Sequence, residues 1–443
     1  MDVALVVIVA LAVILTPILL FKYGVSTSLL GLVLLTLALV PRRVLSLGPL
    51  DPGHAGLTTS SVIISTYTIA ILVGAIYLAG HRLIRIPIPF VIFALITLVL
   101  MEPAWGGTSA QFAGWVHIVI AMIAWGVGYG FSQRLELDGK TSTAWAQIIT
   151  VILFAQLVIV GITMLGISLP SFVTLTDNVG ERALGTLGNA AILSKMTFLV
   201  LIILLPLTSS ALKATRRWAG VGVAFSLILT GLTVSRANMV AVAALVGIWA
   251  LLVPGRVSTQ VRLLMIFLGA VAVYFFAGPF IERMDTDAAG TLRPALLDAA
   301  YRQIDSSPWI GVGINSYVEN VGQFDMTTAL GFPVHNTFLL MTAEVGIPLA
   351  ILFFLPFVGL VWKAFKNFRT PGASGAFAWA ILGSVVGLLA ITLTGWGMLS
   401  SFSLSLWTFV FGVAAAQISR KAHDGDRVLL TVKERRERVL ASA

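Results

Sequence analysis

Apolar runs of about twenty residues recur almost end to end in this chain, and they break off once, for about fifty-five residues between Ile281 and His335. A helix needs about 20 apolar residues to cross a bilayer, so the repeated runs dictate the fold class. Composition agrees, with 58% hydrophobic residues, 11% charged residues and a mean hydropathy of +0.99. A soluble core must be coated by polar surface, and this sequence cannot supply enough of it. The expectation is an all-α polytopic membrane protein with 12–13 transmembrane helices and one large external, periplasmic-side loop containing short helices.

Thirteen candidate spans can be drawn, at about 3–21, 26–46, 61–80, 86–102, 113–132, 143–168, 189–210, 218–234, 237–254, 263–280, 336–362, 377–395 and 399–418. The first run lacks a basic leader and a small-residue cleavage site and is read as a retained helix. The tail RKAHDGDRVLLTVKERRERV holds seven Lys or Arg and is assigned to the cytoplasm by the positive-inside bias. Alternating backwards puts KAFKNFR, PGRVSTQVR, KATRR, QRLELDGK and HRLIR on the same side. The polar insert then falls outside, with seven Asp or Glu against three Arg. Only the N-terminal end resists, because the alternation strands Arg42 and Arg43 outside. The implied division is a transmembrane bundle over 1–280, an external loop or lid over 281–334, C-terminal spans over 335–418 and a basic tail over 419–443.

Within the insert, Leu292 to Ile304 reads as a short amphipathic helix with Leu296, Ala300 and Ile304 on one face. Gly311-Val312-Gly313 ends it, and Asn320 to Leu330 reads as loop. Pro333 constrains the backbone before His335, and Asn336 is a good N-cap for the following span.

Three basic residues on the external side stand against the positive-inside bias: Arg182, Arg236 and Arg293. Arg236 lies in the very short turn Thr233-Val234-Ser235-Arg236-Ala237-Asn238, close to the membrane and near a helix start, where the dipole disfavours a cation. A snorkelling anchor is the plain explanation; a guanidinium fork for phosphate or diphosphate is the functional one. Arg293 can come over the same mouth or remain a solvated loop charge, and Arg182 has Glu181 as an ordinary ion-pair neighbour. His335 at a helix start is favoured as the neutral base at pH 7, which suits proton abstraction from an attacking hydroxyl, although a lone interfacial histidine is often only packing. Glu344, nine residues further on, is a costly carboxylate at membrane depth that could pair with an arginine of the site. The other histidines (His54, His81, His117, His423) have no metal-ligand spacing, the chain has no cysteine, and Asp285-Thr286-Asp287 reads as a solvated loop, so neither a metal nor another cofactor is expected. Nothing in the pattern suggests nucleic acid.

Four stretches in order, RALGTLGNAAIL (182–193), TVSRANMVAVAAL (233–245), LRPALLDAAYRQIDSSPWIGVGINSY (292–317) and HNTFLLMTAEVGIPLAIL (335–352), together resemble the O-antigen ligase/polymerase superfamily of membrane glycan transferases. The last two are the most specific. The resemblance implies transfer of a glycan from undecaprenyl diphosphate, or a similar polyprenyl diphosphate, to an acceptor hydroxyl on the external face of the bacterial cytoplasmic membrane, without a metal and with inversion. It implies Arg236 and Arg293 as diphosphate-binding residues and His335 as the catalytic base. Arg182, Asn336, Glu344 and Tyr301 are further candidates for substrate binding. Ala190-Ala191 after Gly188-Asn189 departs from the Pro-Asn of many relatives and weakens any role for that loop's amide, and Lys195 has no counterpart in this scheme. The acceptor implied is lipid A core, as in an O-antigen ligase, or a growing polysaccharide, as in a polymerase; the moderate insert fits either better than a protein-glycosylating enzyme. A lipid-linked glycan transporter is the competing class, but the charges gather at the rim and no two halves match, unlike a transporter of paired repeats.

Overall fold

The computed structural model describes residues 24–39, 41, 43–48, 59–165, 183–253, 259–260, 262–263, 267 and 292–420. Helices α1 (Val25–Ala38), α2 (Thr66–Gly80), α3 (Ile88–Trp105), α4 (Ser109–Ser132), α5 (Lys140–Met164), α6 (Ala190–Leu207), α7 (Lys213–Thr233) and α8 (Arg236–Leu252) precede the insert. The insert carries α9 (Arg293–Ser306), α10 (Tyr317–Val321) and α11 (Met326–Ala329), and α12 (Thr337–Asn367), α13 (Gly372–Thr394) and α14 (Ser401–Ser419) follow. Among the described residues, seven helices (α3, α4, α5, α6, α12, α13 and α14) are long and apolar enough to cross a membrane, and α1, α2 and α8 are shorter apolar helices. The runs at 3–21 and most of 263–280, and the basic tail beyond Arg420, lie outside the described residues.

The chain is a polytopic helical membrane protein, and its burial pattern gives the physical reason. Helix α3 buries one stripe, Phe90, Phe93, Thr97, Met101 and Trp105, while Ile88, Val91, Leu95 and Val99 on its other faces stay exposed. An apolar surface that continuous suits lipid and would be ruinous in water. Helices α6 and α14, by contrast, have 89% of their apolar windows buried and form the centre of the bundle.

Small residues set the closest helix contact. Gly128 of α4 lies against the Phe409 carbonyl of α14, and Gly412 of α14 lies against the Trp125 carbonyl of α4. Glycine permits this approach because it has no Cβ to hold the backbones apart. Polar groups fasten the far end of the same pair: Ser132 Oγ donates to Val413 O at 2.9 Å, Gln417 Nε2 donates to Ser132 O at 2.6 Å, and Arg420 Nη1 donates to Leu135 O at 2.8 Å. A Gly412→Val change is expected to lower stability by about 1–3 kcal/mol through overpacking. Thermal unfolding in detergent measures it, and an unchanged midpoint would refute the close-packing account.

The second apolar run, read as a single span over 26–46, is corrected by the structure. Helix α1 ends at Ala38, and Arg43–Leu47 forms strand β1, paired antiparallel with strand β2 (Val62–Ser65). Pro41 cannot continue the helix and biases its neighbour away from helical backbone. The released carbonyls have other partners: Gln156 Nε2 donates to Ala38 O at 2.9 Å, and Thr186 Oγ1 donates to Leu39 O. At about 1.5 Å per residue α1 is roughly 21 Å long, short of a hydrocarbon core of about 30 Å. The β-branched run Val62-Ile63-Ile64, counted as the start of the third span, is strand for the same local reason.

Candidate active site

One end of the bundle gathers the starts of α4, α6, α8 and α12 and the end of α13. Gly387 of α13 meets Ala241 of α8 and Phe198 of α6, which fixes these three helices side by side. Thr337 Oγ1, in the first turn of α12, donates to Gly395 O just past α13 at 2.7 Å. The insert lies over this end.

Arg236 is the first residue of α8. The chain reaches it through Val234, a β-branched residue with φ 48, a conformation that is sterically costly for such a side chain. The sharp turn places Ser235 at the N-cap, where Asn238 Nδ2 donates to Ser235 Oγ at 2.7 Å. Arg236 is half-buried at a helix N-terminus, where exposed amides and the helix dipole favour a bound anion.

Arg293 opens α9, followed by Pro294 at a position where proline suits a helix start. The amphipathic helix expected over 292–304 is present as Arg293–Ser306, burying Leu296, Ala299, Ala300 and Gln303 and packing on α12. The segment read as loop over 320–330 contains two short helices instead, α10, ending at Val321, and α11. Asp325 caps α11, its carboxylate accepting from Thr328 N at 2.7 Å.

His335 immediately precedes Asn336, the N-cap of α12, and is half-buried behind the buried Val334. Asn336 Oδ1 accepts from Phe338 N at 2.9 Å and Leu339 N at 3.1 Å. That cap holds the backbone beside His335 and engages the side-chain oxygen of Asn336.

The insert is stitched to a break in α12. Gly346 has φ 79 and ψ 165, which interrupts the helix and leaves carbonyls without their usual partners. The loop 307–316 supplies replacements: Val312 N donates to Ala343 O at 3.1 Å, Gly313 N donates to Glu344 O at 2.7 Å, and Ile347 N donates to Pro308 O at 2.8 Å. Two glycines make the approach sterically feasible. A Cβ on Gly311 would strike the Glu344 carbonyl, and one on Gly346 would strike that of Trp309. The opposite flank of the loop is tied to α3 and α4 by Trp105 Nε1 to Ile310 O at 2.9 Å, Asn315 Nδ2 to Ala110 O at 2.9 Å and Gln111 Nε2 to Ser316 Oγ at 3.1 Å.

Glu344 is fully buried at this junction. The sequence reading offered it an arginine; its carboxyl instead faces the backbone amides of Asn315, Ser316 and Tyr317. These contacts fall short of well-formed hydrogen bonds, and both carboxyl oxygens are without a hydrogen-bond partner among the described residues. Glu344 therefore belongs to the seam between insert and bundle. Neighbouring Tyr317 has its phenol pushed well above the usual range, first by burial and then by the charges of Asp325 and Glu344, so it stays neutral.

The remaining candidates separate. Tyr301 is 55% exposed on α9. Arg302 on the same helix pairs with Asp298 at 3.1 Å and covers the Phe324 ring at 5.7 Å, so its charge serves the insert surface. Arg182 and Asp285-Thr286-Asp287 lie outside the described residues. Sequence reasoning missed Trp105, Gln111 and Asn315, because their partners are about two hundred positions away and no local motif marks them.

Residues 221–354 match the family model described as O-Antigen ligase. No curated protein matches the chain. The matched segment takes in most of α7, all of α8, the insert with its three helices and α12 through the Gly346 break, and thus Arg236, Arg293 and His335. Over this segment the chain is similar to the O-antigen ligase family, which supports the resemblance to the O-antigen ligase-like superfamily.

Proposed function

We propose that the protein transfers a glycan from undecaprenyl diphosphate, or a similar polyprenyl diphosphate, to an acceptor hydroxyl at the external face of the cytoplasmic membrane, most like an O-antigen ligase. His335 takes the proton from the acceptor hydroxyl, whose oxygen attacks the anomeric carbon. The bond from that carbon to the diphosphate oxygen breaks, the configuration inverts, and polyprenyl diphosphate leaves. Arg236 and Arg293 neutralise the charge that grows on the leaving group, a task suited to bidentate guanidinium donors.

The observation that supports this reading is that the three groups stand at helix starts on elements that pack in succession. Arg236 begins α8, Arg293 begins α9, and His335 directly precedes α12. Helix α8 packs on α13, whose end is hydrogen-bonded to the start of α12, and α9 packs on α12. The anion-favouring start of α8 and a proton acceptor are thereby kept on neighbouring elements, next to an insert held in place from two sides.

Reconstitution with a purified undecaprenyl-diphosphate oligosaccharide and candidate acceptors tests it. Arg236→Ala and Arg293→Ala are each expected to lower turnover by about 10²–10³-fold, the range for removing a donor to developing transition-state charge. A single transfer to lipid A core is the expected product. A ladder of lengthening lipid-linked glycan would make it a polymerase, and movement of the lipid-linked glycan without a new bond would make it a transporter. Full turnover by both arginine variants would refute the diphosphate assignment.

A further inference from the structure

Lys195 lies within α6 and is only 8% exposed. Among the described residues no carboxylate pairs with it, and its ammonium makes no hydrogen bond. An unpaired cation in a low-dielectric interior is costly, and proteins rarely keep one without an anion to meet it.

Its position shows where that anion would be. The ammonium Nζ abuts Gly397, so closely that a Cβ there would collide with it. Gly397 lies just past α13, in the turn whose Gly395 carbonyl accepts from Thr337, two residues after His335. Lys195 is also three residues before Phe198, the α6 residue at the junction with Ala241 and Gly387. On α8, Asn238 stands three residues before Ala241. Both offsets are close to one helical turn, about 4.5 Å along the axis toward the insert. Lys195 and Asn238 therefore occupy one level on facing helices, about half a turn (roughly 3 Å) deeper than Arg236. Asn238 is 3% exposed, and its Oδ1 is buried without a hydrogen-bond partner. Among the described residues, the floor below Arg236 thus carries an ammonium without a carboxylate on one helix and a buried, unsatisfied amide oxygen on the next.

We propose that Lys195 is a binding residue for the donor's phosphates, reaching from beneath the group that Arg236 and Arg293 hold from the rim. This inference rests on the glycan-transfer reading above. An ammonium suits the position, being a compact point charge on a flexible stem, where the space against Gly397 is too tight for a broad guanidinium. Reading the site only from its rim arginines would leave the inner phosphate, the one attached to the lipid, facing apolar helix. Lys195 supplies a charge at that depth.

The test uses the purified full chain in detergent and measures dissociation constants for geranylgeranyl diphosphate, inorganic diphosphate, phosphatidylglycerol and geranylgeraniol. For the wild type, geranylgeranyl diphosphate should bind well above geranylgeraniol and phosphatidylglycerol. Lys195→Met should weaken both diphosphates by about 10- to 100-fold, the equivalent of one charge-assisted hydrogen bond, and leave geranylgeraniol unchanged. Its melting temperature without ligand should hold or rise, since an unpaired buried charge is gone. Gly397→Ala, which keeps the lysine but crowds its ammonium, should weaken diphosphate binding alone and add nothing in the Lys195→Met background, a signature of coupling; it also carries the test if Lys195→Met does not fold.

Equal diphosphate binding by the variants and wild type would overturn the proposal. So would a parallel loss for geranylgeraniol, or a lower melting temperature with unchanged diphosphate affinity, which would make Lys195 a cap on the carbonyl end of α13. Displacement by phosphatidylglycerol as effective as by geranylgeranyl diphosphate would overturn it in favour of an ordinary lipid-phosphate anchor. A wild type that does not distinguish diphosphate from alcohol would instead remove the glycan-transfer reading itself.

Discussion

His335→Ala should lower glycan transfer by about 10²–10⁴-fold, the usual contribution of a positioned general base, while the protein keeps its fold and its affinity for the polyprenyl-diphosphate donor. Retained folding is expected because other groups fix the start of α12. Asn336 caps α12 through its own side chain, Thr337 ties the first turn to Gly395, and the buried Val334 anchors the approach. The loss should fall on kcat rather than on donor binding, since a base acts in the transition state. Single-turnover transfer, donor binding and thermal unfolding of the same preparation separate these effects. Wild-type turnover in the alanine variant would remove His335 from the chemistry. A loss of donor affinity equal to the loss of rate would make it a binding residue.

A second large effect is expected at the seam between the insert and α12. Gly346→Ala places a Cβ against the Trp309 carbonyl at a backbone conformation, φ 79 and ψ 165, that only glycine adopts readily. Backbone strain of about 1–3 kcal/mol and overpacking of about 1–3 kcal/mol act together. The three backbone hydrogen bonds between residues 308–313 and 343–347 cannot all survive that displacement. The expected result is a melting point lower by several degrees, faster proteolysis between α9 and α10, and loss of transfer. Gly311→Ala should behave alike, because it meets the Glu344 carbonyl from the other side of the same seam. Wild-type melting and protease resistance in both variants would show that the seam is not a stitched contact.

These two sites show how unequally the sequence speaks. His335 was legible because its surroundings are local: a proline, a histidine and an asparagine cap in succession announce a helix start. The place of Arg236 at a helix start was legible because a lone charge marks the short turn between two apolar runs. The amphipathic face of α9 came through its spacing, with Leu296 and Ala300 buried as expected. The seam was not legible, because a glycine inside an apolar run does not tell which distant carbonyl will lie against it. Glu344 illustrates the cost of that blindness, since reasoning from depth alone offered it an arginine when the backbone of the insert was its neighbour. The early strand pair has a similar cause: Pro41 and the β-branched run at 62–64 were visible, but not that the two segments would pair or that Gln156 and Thr186 would take up the carbonyls at the end of α1.

By itself, the sequence determined that this chain lies in a membrane as a set of helices, because runs of about twenty apolar residues have no other stable home. It also determined where the charged side chains of interest stand along the chain, since helix starts are written in a few adjacent residues. Only the tertiary structure decided which helix ends meet, why α12 breaks at Gly346, and that Lys195 lies about half a turn deeper than Arg236. Each of these rests on the approach of backbones far apart in sequence, where the presence or absence of a single Cβ sets the distance.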